Sequence, residues 1–138
     1  WDLAKDGAWL EPIIATFKTQ GIRVSLFMDP VPESMALAAE VGADRVELYT
    51  ELYAQAWGTD QQETVLQDFV DSAMAAEVAG LGVNAGHDLN QENLGEFARR
   101  VPNLLEVSIG HALISEALVD GWEPTVRSYV SILEAARA

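Results

Sequence analysis

The sequence predicts a parallel α/β fold. Four short apolar segments bounded by turn residues have the character of buried strands, and amphipathic helical segments separate them. Such alternation builds right-handed βαβ units, whose functional residues lie at the carboxyl ends of the strands. With 138 residues, 49% of them hydrophobic, the chain is long enough for one domain with its own core, and we place that domain over residues 1–138.

The first half of the chain supplies two of the strands. Residues 12–20 have helical character and end at a glycine, and the apolar run IRVSLFM over residues 22–28 follows as the first strand. Good helix formers over residues 35–41 precede the second strand, which covers residues 45–49. We expect residues 50–59 to form a loop.

The third strand lies between two further helices. Asp60 and Glu63 have the spacing of a capping pair for a long helix with one apolar face. The segment LGVNAG over residues 81–86 is the third strand. Asn90 is expected to cap the next helix, which runs to Arg100.

The chain ends with one more strand and two helices. The segment LLEVSI over residues 104–109 is the fourth strand, a short helix covers residues 112–119, and Pro124 opens the last helix. Two architectures fit this pattern: a complete open doubly wound sheet, and one half of a (β/α)8 barrel. Length alone favours the open sheet, but neither GxGxxG nor GxxxxGK occurs, so no nucleotide-binding fingerprint supports it.

Composition restricts the possible partners. The chain has 22 acidic and 8 basic residues and a formal charge of −14, which argues against nucleic acid or an anionic membrane as a partner. An anionic ligand would have to be held by local donors. The absence of cysteine excludes disulfides and thiolate metal sites, and it agrees with a cytoplasmic location.

Both histidines of the chain occur in one repeated context. His87 in VNAGHDL and His111 in VSIGHAL each follow a glycine at the end of a strand. A glycine lets the backbone approach a ligand, and the first N–H groups of a following helix can hold an anion. We therefore predict a phosphate pocket at Gly110 and His111, with an imidazole able to exchange protons near neutral pH. The alternative is that each histidine only caps a helix or fills a gap.

Two glutamates stand inside strands where apolar residues are expected. A carboxylate such as that of Glu47 needs an ion-pair partner, a solvated cavity or a catalytic task. An ion pair with Arg45 or Arg23 and a functional role are equally compatible with the sequence. For Glu106 we favour a structural role.

Four segments, taken in order, resemble the pyridoxine 5′-phosphate synthase family: GIRVSLFMDP, AAEVGADRVELYTELYA, LGVNAGHDLN and LEVSIGHALISEAL. The resemblance covers nearly the whole chain, and the paired Gly-His segments are specific to it. It implies a (β/α)8 barrel with extra helices, of which this chain would be the C-terminal half, strands five to eight. It also implies assembly into a homo-oligomer, an octamer in the family.

The same resemblance implies a transferase that condenses 3-amino-2-oxopropyl phosphate with 1-deoxy-D-xylulose 5-phosphate. The product is pyridoxine 5′-phosphate, released with phosphate and water, and no redox cofactor or metal is required. By its position in the motif, His87 would donate a proton, and Glu47 would stabilise a cationic or polar transition state. Gly110 and His111 would bind a substrate phosphate.

The sequence departs from the family pattern at two positions. Asp88, which would contact substrate through its backbone, and Glu51 each stand where the family usually has glycine. The motifs of the family's N-terminal half have no counterpart here, so we expect this chain to be inactive without that half. The alternative functions are a non-catalytic module that binds a phosphorylated ligand, and a structural half-barrel that pairs with itself.

Overall fold

The fold is a single four-stranded sheet with helices packed against one of its faces, and the computed structural model describes all residues, 1–138. Every strand pair is parallel, and the strand order β1-β2-β3-β4 follows the chain without reversal. A doubly wound sheet reverses its strand order at a switch point, whereas a barrel segment does not. The predicted parallel α/β fold is confirmed, and the strand order is compatible with part of a (β/α)8 barrel. The strands are β1 (Ser25–Met28), β2 (Arg45–Tyr49), β3 (Gly82–Gly86) and β4 (Leu104–Ser108).

Helices precede, separate and follow the strands, and a short 3₁₀ turn leads into the second helix. No helix combines the length and the hydropathy that crossing a lipid bilayer requires. The helices are α1 (Leu3–Thr19), α2 (Met35–Glu40), α3 (Glu51–Ala56), α4 (Gln62–Val78), α5 (Leu94–Arg100), α6 (His111–Asp120) and α7 (Trp122–Arg137).

Helix α3 occupies most of the segment expected to be a loop, so that expectation is wrong for residues 51–56. Tyr53 is fully buried in this helix, and its hydroxyl group donates to the carbonyl oxygen of Asn93 at 2.9 Å. Its ring packs against those of Phe69 and Phe97, with centroids 6.3 and 5.1 Å away. A helix of two turns is stabilised mainly by such tertiary packing, which a local pattern does not reveal.

The expected capping pair before α4 does not form. The helix begins at Gln62, and the side chain of its N-cap residue, Gln61, makes no capping hydrogen bond. Glu63 instead pairs with Arg100 of α5, with 2.7 Å between Oε1 and Nη2. The carboxylate therefore joins two helices rather than capping one.

Helix α5 begins about one turn later than expected, so Asn90 precedes the helix instead of capping it. Its Oδ1 atom accepts hydrogen bonds from the N–H groups of Glu92 and Asn93, at 2.9 and 3.1 Å. Asn93 is the residue that precedes α5. Asn90 thus stabilises the turn that leads into the helix, because its side chain competes for nearby backbone donors.

The two faces of the sheet differ in character. One face packs beneath the helices and forms the core, and its strand residues are almost fully buried: Leu26, Met28, Val46, Leu48, Val83 and Ala85. The other face carries Phe27, Glu47, Asn84 and Glu106 at matching positions of the four strands. Of these side chains only Asn84 is buried, and the candidate site lies at one end of this face.

An ion-pair network crosses the second face of the sheet. Arg23, just before β1, contacts Glu106 of β4 at 3.3 Å. Arg45 bridges the same carboxylate at 2.8 Å and the amide oxygen of Asn84 at 2.9 Å. The structural role expected for Glu106 is confirmed, because its carboxylate binds both Arg23 and Arg45.

Candidate functional site

A cavity of about 610 Å³ lies at the carboxyl ends of β2, β3 and β4. All the residues selected from the sequence line it: Glu47, His87, Asp88, Gly110 and His111. The carboxyl ends of parallel strands meet at one edge of a sheet, so segments that are distant in sequence converge there. The two histidines therefore lie at the same end of the sheet.

Glu47 reaches the cavity from the middle of β2. It forms no ion pair, because Arg45 and Arg23, the partners considered from the sequence, both bind Glu106. The half-buried carboxylate lies towards β3, where Gly86 has no side chain to obstruct it. A carboxylate without a cationic partner is free to interact with a polar or cationic group of a ligand.

His87 follows β3 directly and has an unusual backbone conformation. Its φ angle is +101°, a value that residues with a β-carbon rarely adopt. The side chain is 41% exposed, and its Nε2 atom lies 3.9 Å from Oδ2 of Asp88. One face of the imidazole packs on the ring of Tyr49, with centroids 4.6 Å apart. The imidazole is therefore held at the cavity wall but remains accessible to a ligand.

Asp88 adds a second carboxylate to the cavity. Its φ of +58° lies in the left-handed region, which glycine adopts most readily and aspartate tolerates. No lysine or arginine lines the cavity, so Glu47 and Asp88 make its fixed charge negative. An anion bound here would have to be held by backbone N–H groups and imidazoles.

Gly110 and His111 form the start of α6. Gly110 is the N-terminal cap residue, no side chain caps this helix end, and the first helical bond runs from the N–H of Ile114 to the carbonyl oxygen of Gly110. The N–H groups of residues 111–113 thus have no acceptor within the helix. A Cβ atom on Gly110 would meet nothing within 4 Å, so the space beside this helix end is open.

Sequence reasoning did not identify several residues that line the cavity. Ser115 stands four residues after His111 on α6, and Ser108 ends β4 beside Gly86 of β3. Helical spacing and the end of a strand were signals that could have found these two hydroxyl groups. Phe27, on the neighbouring strand β1, also lines the cavity, but no feature of the sequence marks it as a site residue.

Tyr49 borders the site and is itself tightly bound. Its hydroxyl group donates to Oε2 of Glu51, and its ring also packs on Phe27, with centroids 5.4 Å apart. The hydrogen bond to Glu51 raises the pKa of Tyr49 to about 12. Tyr49 therefore remains a neutral phenol through the physiological pH range. No group of three or more histidine, aspartate or glutamate side chains is arranged to hold a metal ion.

The fold and the cavity together define a parallel α/β protein with a ligand site at the carboxyl ends of its strands. A family model described as "Pyridoxal phosphate biosynthesis protein PdxJ" matches residues 1–135. The chain belongs to this family, whose function is vitamin B6 biosynthesis.

Individual relatives agree with this assignment. A "Pyridoxine 5'-phosphate synthase" of Xanthomonas campestris pv. campestris (strain B100) is 57% identical over 132 residues, which are 96% of this chain and 52% of the relative. A protein of the same name from Albidiferax ferrireducens is 54% identical over 138 residues, which are 100% of this chain and 55% of that relative. The chain thus spans about half the length of the curated relatives it matches.

Proposed function

We propose that this chain forms strands five to eight of a (β/α)8 barrel that synthesises pyridoxine 5′-phosphate. The substrates are 3-amino-2-oxopropyl phosphate and 1-deoxy-D-xylulose 5-phosphate, which a transferase of this type condenses with release of phosphate and water. One observation carries the proposal: two imidazoles, an unpaired carboxylate and a free helix end converge in one cavity of a chain from this family.

The start of α6 binds a substrate phosphate in this proposal. The free N–H groups of residues 111–113 and the helix dipole, roughly half a positive charge, favour a dianion at this point. His111 and Ser115 line the same cavity, and both side chains can donate further hydrogen bonds. These local donors offset the negative charge that Glu47 and Asp88 contribute to the cavity.

His87 acts as the proton donor. A condensation that closes an aromatic ring expels hydroxyl groups as water, and each must be protonated as its C–O bond breaks. The accessible imidazole of His87 can transfer its proton to such an oxygen and recover one from solvent.

Glu47 stabilises positive charge that develops on the substrate. Amine condensation with a carbonyl passes through species with a protonated nitrogen, and a nearby carboxylate lowers their energy. Glu47 can serve because no arginine neutralises it and because it opens onto the cavity.

In this proposal the remaining half of the barrel covers the second face of the sheet. β1 and β4 each have one neighbour in the sheet, so each presents an unpaired edge. Exposed apolar side chains on α1 and α6, including Trp9, Phe17 and Leu118, are consistent with further burial in a closed barrel or in a homo-oligomer.

A chimeric protein tests the proposed function. The part of the Xanthomonas campestris relative that this chain does not match would be fused to the N-terminus of this chain. We expect the chimera to form pyridoxine 5′-phosphate from the two substrates, with the intact relative as a positive control. A folded chimera that binds inorganic phosphate but forms no product would instead favour a non-catalytic binding module.

A further inference from the structure

His87 is held by contacts that its own segment does not supply. Its φ angle is positive, and the φ angle of the next residue, Asp88, is positive as well. Two consecutive non-glycine residues in this region persist only where the surrounding structure determines them. The contacts that do so come from the segment that follows β2.

Thr50 binds the peptide groups on both sides of the His87 α-carbon. Its N–H donates to the carbonyl oxygen of Gly86 at 3.0 Å, and its hydroxyl group donates to the carbonyl oxygen of His87 itself. Thr50 is fully buried, so solvent does not compete for these hydrogen bonds. Because both flanking peptide planes are bound to one residue, the φ and ψ angles of His87 are constrained together.

Tyr49 constrains the side chain. Its ring lies 4.6 Å from the imidazole, between centroids, at an interplanar angle of 46°. The tyrosine cannot easily rotate away, because its hydroxyl group is bound to Glu51 and its ring contacts Phe27. Glu51 is in turn held by the amide of Gln55, which donates to Oε1 at 2.8 Å.

We propose that Tyr49, Thr50 and Glu51 are positioning residues for His87, with Thr50 setting its backbone and the Glu51-bound Tyr49 ring setting its imidazole. The proposal rests on the proposed function, in which His87 must present one ring nitrogen to a substrate oxygen. A group at a cavity wall loses rate steeply when it is displaced by about 1 Å, so preorganisation of this kind raises turnover.

The decisive variant is Thr50→Val, which keeps the shape of the side chain and removes only the hydroxyl donor. Thr50→Ser restores the hydroxyl group. Thr125→Val is the matched control, since buried Thr125 donates to the carbonyl oxygen of Gly121 at 2.8 Å and does not contact the cavity. The first readout is the proton NMR signal of the two imidazoles, with His111 as an internal reference.

In Thr50→Val we expect the His87 signal to shift and broaden while the His111 signal stays in place. In the chimera, kcat should fall about 10- to 100-fold, with KM for both substrates nearly constant, because orientation and not binding is lost. Thr50→Ser should recover most of kcat, and Thr125→Val should change neither readout. A His87 signal and a kcat that both match those of the unmodified protein would overturn the proposal.

If Thr50→Val does not fold, Tyr49→Leu tests whether these residues position His87. Loss of the aromatic ring should move the His87 signal and lower kcat, and an unchanged signal with an unchanged kcat would again overturn the proposal. Failure of the proposed function looks different: the unmodified chimera would form no product, while the NMR comparison would still report whether Thr50 and Tyr49 hold His87.

Discussion

The Oε1 atom of Glu47 lies 2.8 Å from the point that a Cβ atom on Gly86 would occupy. On the other side of this point are the Cβ atom of Ser108, at 2.9 Å, and its carbonyl oxygen, at 3.0 Å. Gly86 is therefore the residue that lets the carboxylate of β2 lie over β3 and open onto the cavity.

Replacing Gly86 with alanine should displace Glu47. No rearrangement of one flexible side chain is sufficient, because the backbone of Ser108 also limits the space. We expect a loss of stability of about 1–3 kcal/mol, typical of an overpacked interior, measured by denaturant unfolding. Turnover of the chimera should fall as well.

Gly95→Ala provides the matched control for this substitution. A Cβ atom there would make an ordinary contact of 3.5 Å with Ile132, and the residue lies within α5. We expect stability to be unchanged or to rise by about 0.5–1 kcal/mol, since alanine favours a helix. Equal stability losses in both variants would argue against a special role for Gly86.

The two histidines should respond differently to substitution with alanine. His87→Ala should abolish turnover of the chimera and leave the affinity for the phosphorylated substrates intact, because it removes a proton donor. His111→Ala should mainly weaken substrate affinity, because it removes a donor to phosphate. Steady-state kinetics and direct binding measurements separate these outcomes, and an equal loss of affinity in both variants would exclude the proton-donor role of His87.

The carboxylate of Asp88 should weaken anion binding. Asp88→Asn removes the charge and keeps a side chain that tolerates a positive φ, so we expect inorganic phosphate to bind about threefold or more tightly. The gain should diminish at high ionic strength, as expected for a screened charge. Asp60→Asn, in the turn before α4 and outside the cavity, is the control. Titration calorimetry would measure both, and equal affinities would show that the Asp88 charge does not reach the anion.

The pKa of Tyr49 should depend on Glu51. The hydrogen bond to this carboxylate raises the pKa from 10.0 to about 12, so it stabilises the fold below the unfolded-state pKa. That contribution is lost as the pH rises through about 12, where the folded-state phenol ionises. Glu51→Gln should bring the pKa of Tyr49 back towards its ordinary value. In an alkaline titration, the phenolate absorbance of this one tyrosine should then appear at a lower pH than in the unmodified protein.

The other two tyrosines provide an internal comparison for that titration. Burial raises the pKa values of Tyr53 and Tyr129, and Glu51 contributes to neither shift. Their ionisation should not change in Glu51→Gln. If all three tyrosines shifted together, the variant would have loosened the fold rather than removed one hydrogen bond.

Several features follow from short stretches of sequence. The bounds of β2 match the expected residues 45–49, because an apolar run between turn residues reports directly on burial. The convergence of His87 and His111 also follows, since successive parallel strands necessarily place their carboxyl ends together.

Other features depend on pairs of residues that meet only after folding. Arg45 could equally have paired with Glu47, but the strand register brings it to Glu106. Helix α3 forms because Tyr53 finds Phe69 and Phe97, and residues 50–59 contain no local sign of that contact. Local patterns therefore determined the succession of the strands and of the helices other than α3, and the edge at which the site lies. Tertiary packing alone decided which partner each charge takes and how Thr50 holds His87, because hydrogen bonds and ion pairs depend on distances that only the folded chain defines.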